Sequence, residues 1–407
     1  MRWLASISTF LGAVSFASAV VDDPAKDATP YMDSFPLFRS SNMANPDKLS
    51  SGVGFHSFRI PAVVRTSTGR ILAFSEGRRW SNLDYGDINL VYKRTKTTTN
   101  NGVAIQDWES LREVVGAGQG TWGNPTPVVD GEFIYLFMSW NAAGYSQNGQ
   151  LLADGTSTKK INTSWEGRRH LYLTKSTDDG NTWSTPEDVT LSLTPNNWAW
   201  DAVGPGIGIK TTTGELVVPA QRRNIIGRGP PGNRTWSMQE LSDGGSESTI
   251  CQTPDGNLYR NDRPGKAGYR SVARGTLSSF GKFATDIGLP DPACEGSVML
   301  YNLASSAGPA RVIFLNSASQ DSRRNMRVRI SYDSDTRKFD YGRKLSDAAV
   351  SGVGNEGGYS SMTKTQDAKI GALVETDFYN AKGGADSHRA ILWRRFNLSW
   401  ILNGPNN

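Results

Sequence analysis

From Phe35 onward, short apolar runs alternate with clusters of Gly, Asp, Asn and Pro. Examples are Ile71-Leu72-Ala73-Phe74, Phe133-Ile134-Tyr135-Leu136-Phe137, Leu171-Tyr172-Leu173, Leu216-Val217-Val218 and Arg311-Val312-Ile313-Phe314. Runs this short, rich in β-branched and aromatic residues and closed by turn formers, predict strands. Several are entered through a two-residue turn signal: Thr68-Gly69, Asp130-Gly131, Thr213-Gly214 and Asp255-Gly256. No long amphipathic helical pattern interrupts the rhythm, so the chain reads as all-β.

One unit stands out. Ser176-Thr177-Asp178-Asp179-Gly180-Asn181-Thr182-Trp183 fits the pattern S-x-D-x-G-x-T-W, the Asp box, at every defined position. Such a segment is a self-satisfied hairpin turn: the carboxylate accepts turn N–H groups, the glycine takes a left-handed conformation and the tryptophan packs beneath. A looser copy spans Ser331-Tyr332-Asp333-Ser334-Asp335 and ends on Phe339. Fainter echoes follow Lys93-Arg94, reaching Trp108, and Arg274, reaching Phe280. Hairpins repeated at this spacing imply the blades of a β-propeller. An Asp box is a folding device, so it speaks for the fold and not for any chemistry.

The N-terminus has a basic start at Arg2, an apolar stretch from Leu4 to Phe16 and a cleavage-like Ala17-Ser18-Ala19. Residues 1–19 are therefore expected to be a secretory signal peptide, too short in its apolar part to span a bilayer. Residues 20–34 read as a flexible segment and 35–403 as the propeller domain. A secreted, extracellular destination allows a disulfide between Cys251 and Cys294, the only two cysteines, and the alternative is two buried thiols. The same setting would allow glycans at the sequons of Asn162, Asn233 and Asn397. Across 407 residues the formal charge is only +5 and no basic block stands out, which disfavours a nucleic-acid partner. No segment predicts membrane insertion, and oligomeric state stays open. His56, His170 and His388 lack metal-ligand spacing, and neither a dinucleotide fingerprint nor a Walker loop occurs, so no metal or cofactor is expected.

Phe58-Arg59-Ile60-Pro61 resembles the F/Y-R-I-P motif that opens the catalytic domain of sialidases. With the box downstream and the other elements in order, the chain from about Phe35 to Ile401 is similar to secreted fungal-type exo-sialidases, a group that includes enzymes preferring the deaminated sugar acid KDN. The resemblance implies a six-bladed β-propeller with an axial site. It implies three guanidinium groups for the substrate carboxylate: Arg59, Arg263 in Leu258-Tyr259-Arg260-Asn261-Asp262-Arg263, and Arg323 in Ser322-Arg323-Arg324-Asn325-Met326. Arginine suits this task because it stays charged and is a planar, bidentate donor. Arg323 is chosen over Arg324 because the family spacing R-x-x-apolar ends on Met326.

A carboxylate nucleophile would be repelled by the substrate's own carboxylate, whereas a neutral phenol would not. Sialidases use a tyrosine here in place of the second carboxylate of other glycosidases. By resemblance that residue is Tyr359, in Gly357-Gly358-Tyr359-Ser360-Ser361-Met362, with Glu247 drawing off its proton. The acid is Asp84, with Asp87 a weaker candidate, and Arg78 would contact a ring hydroxyl. Trp122, Ser139 and Trp140 lie where the family builds the pocket for the C5 substituent. The final run Ala390–Phe396 is expected to close the ring against the first blade. The substrates implied are sialylated or KDN-bearing glycans, with a trans-sialidase or a non-cleaving sialic-acid lectin as rivals.

Overall fold

The structure, a computed structural model, describes residues 23–116, 120–150, 157–348, 350, 353–376 and 388–405. The proposed signal peptide lies outside the described residues. Among the described residues, strands form four separate four-stranded antiparallel sheets, one eight-stranded sheet and a two-stranded pair, Tyr145–Ser146 with Lys159–Lys160. The eight-stranded sheet divides into two blades whose ladders are joined by the parallel bridge Ile88–Thr121. This makes six blades.

Blade 1 comprises Ser57–Arg65, Ile71–Arg78, Ile88–Arg94 and Arg112–Val115; blade 2 comprises Gly120–Asp130, Phe133–Ala142, His170–Ser176 and Glu187–Asp188. Blades 3, 4 and 5 start at Ile209, Ser248 and Gly296. Blade 6 runs Glu356–Lys364, Ile370–Thr376 and Ala390–Phe396, and takes its outer strand, Met32–Arg39, from the N-terminus. Successive blades touch through their first strands, with blade 3 also using its second, and blade 6 returns to blade 1, so the ring is closed.

The expected packing of Ala390–Phe396 against the first blade is present, with Trp393 edge-on to Trp108 at 5.3 Å, and the strand's ladder partner comes from the N-terminus. Ala390–Phe396 pairs with Met32–Arg39, in register Met32–Phe396 to Arg39–Ala390, and not with the strand carrying the R-I-P motif. This revises the reading of 20–34 as a flexible segment. From Asp23 onward the described part is tied down: the Asp23 carboxylate pairs with Arg311 and accepts from Tyr332 Oη at 2.7 Å. An acid buried to this degree needs such partners, and having them fixes the chain that leads into the closing strand.

The hairpin at 176–183 has the bonding its sequence dictates. Asp178 Oδ1 accepts from Thr182 N (2.8 Å) and Ser176 Oγ (2.9 Å), and its Oδ2 accepts from Thr182 Oγ1 (2.7 Å). Trp183 sets its ring edge-on to Phe74 and Tyr92 of blade 1, at 5.8 and 6.0 Å, so a turn in one blade staples its neighbour. At the second copy, Asp333 accepts from Lys338 N (2.7 Å) and Phe339 packs on Phe314.

The disulfide expectation is not met. Cys251 and Cys294 are free and buried in separate apolar clusters, Cys251 with Tyr259 and Phe314, Cys294 with Ile60 and Tyr359. Burial pushes the Cys294 thiol up to about 12, which keeps it unreactive.

Candidate active site

Antiparallel pairing places the end of a blade's second strand beside the start of its first, as in Ser57–Arg78, Ser248–Asp262 and Glu356–Thr376. Residues at those ends gather at one mouth of the propeller axis. Arg59 and Tyr359 lie on first strands, Arg78 ends a second strand, and Glu247 and Arg263 flank the first hairpin of blade 4. Arg323 precedes the third strand of blade 5, and Asp84 sits in the loop after Arg78. All seven line one cavity of about 440 Å³.

Bulges aim these side chains inward. Pairing slips between Arg59 and Ala62, between Gly123 and Thr126, and between Glu356 and Ser360. Ile60 holds φ of 59°, a strained value for a β-branched residue, and its N–H is fixed by Glu375 Oε1 at 2.9 Å. The glycine pair before Tyr359 has a steric cause. A Cβ on Gly357 would collide with the Arg323 carbonyl oxygen, and one on Gly358, whose φ is 121°, would collide with the Glu375 carboxylate. Gly-Gly-Tyr therefore lets the strand of Tyr359 press against both neighbours.

On the cavity floor the Tyr359 hydroxyl donates to Glu247 Oε1, and Arg263 Nη1 donates to Glu247 Oε2 (2.9 Å) and to Tyr359 Oη (3.0 Å). The guanidinium carbons of Arg59 and Arg323 each lie 5.4 Å from the Tyr359 ring centre. Burial, reinforced by Glu247, pushes the Tyr359 phenol well above its ordinary value against the pull of Arg263 and Arg323. It is a phenol with its proton already directed at Glu247.

Arg59 is buried, with Nε and Nη2 on the two oxygens of Glu375 at 3.1 and 3.2 Å. Glu375 also accepts from Tyr359 N at 3.0 Å. Burial raises its carboxyl, but Arg59, His388 and the N–H groups of Tyr359 and Ile60 together outweigh that and hold it at about 2. Arg78 is pinned by Glu76, which accepts its Nε and Nη2 at 3.1 and 2.7 Å. Asp84 is built differently. Its side chain is 76% exposed, and one oxygen bridges Arg78 Nη1 (2.8 Å) and Arg59 Nη1 (3.0 Å). Crowding by the walls raises the Asp84 carboxyl, but Arg78 and Arg59 more than reverse this and hold it well below the usual carboxylate range.

Arg324 turns outward to Asp321 at 2.9 Å, so of the adjacent pair only Arg323 faces the cavity. Asp87 lies off the cavity, 4.0 Å from Arg79. Trp122, Ser139 and Trp140 do not line it either. Their strand turns them into an aromatic stack with Tyr172 and His170 or into the blade interior. The cavity is lined there by Asn124, Arg169 and Trp200, beside Arg78 and Glu76. Arg169 donates to Asn141 (2.7 Å) and Asn124 (2.8 Å), and its guanidinium carbon lies 4.5 Å from the Trp200 ring centre.

The sequence reading missed Glu76, Glu375, Arg169 and Trp200. Glu76 was accessible in principle, since it sits two residues before Arg78 on the same strand face. Glu375 interrupts the apolar run Gly371–Val374, and an acid there demands a buried partner. Nothing in the local pattern marks Arg169 or Trp200.

A closed propeller with clustered guanidinium groups, a phenol hydrogen-bonded to a carboxylate and a separate exposed acid on one axial cavity is the architecture of a glycosidase for an anionic sugar. Comparison with known proteins agrees. Residues 106–372 match the BNR repeat-like domain. The chain is 74% identical over 389 residues to an exo-alpha-sialidase of Aspergillus fumigatus, covering 95% of each, and 69% identical to one of Arthroderma benhamiae, covering 100% of this chain and 99% of the relative. The NanB sialidase of Streptococcus pneumoniae shares the fold, with a TM-score of 0.70 at 13% identity, over 90% of this chain and 70% of that one. The chain belongs to the exo-α-sialidases, which are glycoside hydrolases.

Proposed function

We propose that the protein is a retaining exo-α-sialidase that removes terminal sialic acids, KDN preferred, from glycans outside the cell through a covalent tyrosyl-glycosyl intermediate. The observation that carries this is the Tyr359–Glu247–Arg263 contact at the base of a cavity ringed by Arg59 and Arg323.

The substrate carboxylate enters among Arg59, Arg263 and Arg323, which provide charge-assisted bonds without reorganisation. Entry also changes the acid. Asp84 leans on Arg59 and Arg78; a substrate carboxylate that takes over Arg59 weakens that hold, so the Asp84 carboxyl rises toward a value at which it can carry a proton. Tyr359 Oη then attacks the anomeric carbon while its proton passes to Glu247. The glycosidic bond breaks, and Asp84 protonates the departing oxygen. Water enters on the vacated side and gives a proton to Asp84 as its oxygen attacks the anomeric carbon. The tyrosyl bond breaks, and the phenolate recovers its proton from Glu247. Two displacements restore the starting anomeric configuration.

The C5 preference is drawn from the likeness to the fungal group. It is supported by the polar groups of Glu76, Asn124 and Arg169, which line the cavity beside Trp200 and suit a hydroxyl better than an acetamido group. Secretion rests on the leader-like residues 1–19, and glycosylation on the sequons. Asn162 and Asn233 are exposed, whereas the Asn397 amide is engaged with Thr29, Tyr31 and Trp400.

A lectin would need the arginines but not the phenol–carboxylate pair or the acid. Proton NMR during turnover tests the central reading: the α-anomer of the free sugar appears first and then equilibrates. First release of the β-anomer would exclude a tyrosyl intermediate.

A further inference from the structure

The loop of residues 79–87 after the second strand of blade 1 carries more than the acid. It is pinned from beneath, since Arg78 Nη1 donates to the Asn82 carbonyl at 2.5 Å and Ser57 Oγ to the Ser81 carbonyl at 3.3 Å. That anchoring turns two large apolar side chains outward. Trp80 is 74% exposed and Leu83 is 41% exposed. Two such residues within four positions, beside an active-site mouth, are a costly surface for a protein to keep without a ligand. Trp80 is also held in place: the Arg79 guanidinium carbon lies 4.8 Å from its ring centre and 5.9 Å from that of Phe55. A guanidinium clamped between two rings occupies one indole face and leaves the other to solvent. A second cavity of about 190 Å³, bounded by Trp80 and Leu83 and across from them by Ala143 and Thr158, shares Arg78 and Tyr85 with the catalytic cavity.

We infer that Trp80, with Leu83, forms the subsite for the sugar on the leaving-group side of the scissile bond, its free indole face stacking on that pyranose ring. The inference rests on Asp84 as the acid. An acid that protonates the linking oxygen must have the departing sugar on its own side of the mouth, and Trp80 is tied to the same loop. A pyranose presents a face of polarised C–H groups, which pairs with the electron-rich indole face and is poorly served by a charged surface. Substrate recognition is thereby divided. The arginine-lined cavity reads the sugar acid, and the exposed platform reads what it is attached to.

The test compares the α-lactoside and the α-methyl glycoside of one sugar acid, which share the reacting ring and differ in whether a second ring is present. Trp80→Ala should lower kcat/KM on the lactoside about tenfold, the value of one aromatic stacking contact, and leave the methyl glycoside within roughly twofold. Trp80→Tyr, which keeps an aromatic face, should recover most of the loss. Because the side chain is exposed, truncation opens no core cavity, and an unchanged melting temperature checks this. Equal losses on both substrates, or no loss on the lactoside, would overturn the subsite. So would a dimer in wild type that Trp80→Ala abolishes while rates stay the same, because the platform would then belong to a second copy. Failure of the underlying acid assignment is distinguishable: Asp84→Asn would cleave both substrates at the wild-type rate.

Discussion

The floor and the rim of the catalytic cavity are built on opposite principles. On the floor Arg59 and Tyr359 are each 5% exposed, their strands are bulged, and Glu375 ties the two together through its carboxylate. On the rim Asp84 is three-quarters exposed and is held mainly by guanidinium groups, one of which the substrate must use. On the proposed mechanism the floor recognises a fixed charge and positions a nucleophile, tasks that reward rigidity and pre-oriented dipoles. On the same proposal the rim donates a proton and then accepts one, so its partners must let go. Strain and buried ion pairs belong where the geometry does not change between steps, and exposure belongs where the charge does.

This contrast can be broken at several points. Tyr359→Phe removes the attacking oxygen and should lower kcat by roughly a thousandfold or more, with circular dichroism unchanged. A loss of only a few fold would move the nucleophile elsewhere. Asp84→Asn should cost about 10²–10⁴ in rate on a sugar leaving group and little on a nitrophenyl glycoside, which departs without protonation. An equal loss on both would make Asp84 a binding group instead. Arg263→Ala should weaken carboxylate-bearing inhibitors about 10–100-fold. Because Arg263 also donates to Tyr359, kcat should fall as well, and a change confined to KM would contradict that second role.

Two further variants probe stability. Glu375→Gln leaves Arg59 without its buried counter-charge and should cost about 3 kcal/mol in denaturant unfolding. The sign with pH follows from the lowered carboxyl. Folded Glu375 titrates at about 2 against an ordinary 4.5, so its stabilisation is complete above about pH 5 and is lost as pH falls toward 2. Wild type should therefore lose more stability than the Gln variant over that window. Asp178→Ala, which removes a carboxylate from a turn far from the cavity, should cost about 1–2 kcal/mol and leave kcat/KM intact.

The legibility of the chain in its sequence follows the same division. The hairpin at 176–183 could be read because its bonds are local: Ser176, Asp178 and Thr182 satisfy one another within a single turn. The strands could be read because their apolar runs are short and punctuated. The N-terminal strand Met32–Arg39 was harder to place, since its pairing with Ala390–Phe396 joins opposite ends of the chain and neither end names the other. Within the site, Arg59, Asp84 and Tyr359 came from motif resemblance. Glu76 and Glu375 are the partners those residues need, and long-range burial reveals them. Trp122, Ser139 and Trp140 were expected beside the C5 substituent and turn away from the cavity, whereas Asn124, within the bulge between Gly123 and Thr126, lines it. A one-residue slip flips every side chain beyond it.

The claim on which the rest depends is that Tyr359 Oη, primed by Glu247, bonds to the anomeric carbon. Treating the enzyme with a 2,3-difluoro sugar acid, which slows the second displacement, and mapping the product by peptide mass spectrometry tests it most directly. The account predicts one glycosyl unit on the peptide that contains Tyr359, and no label in Tyr359→Phe. A label on Asp84 or Glu247, or stable inactivation with no covalent mass, would contradict it.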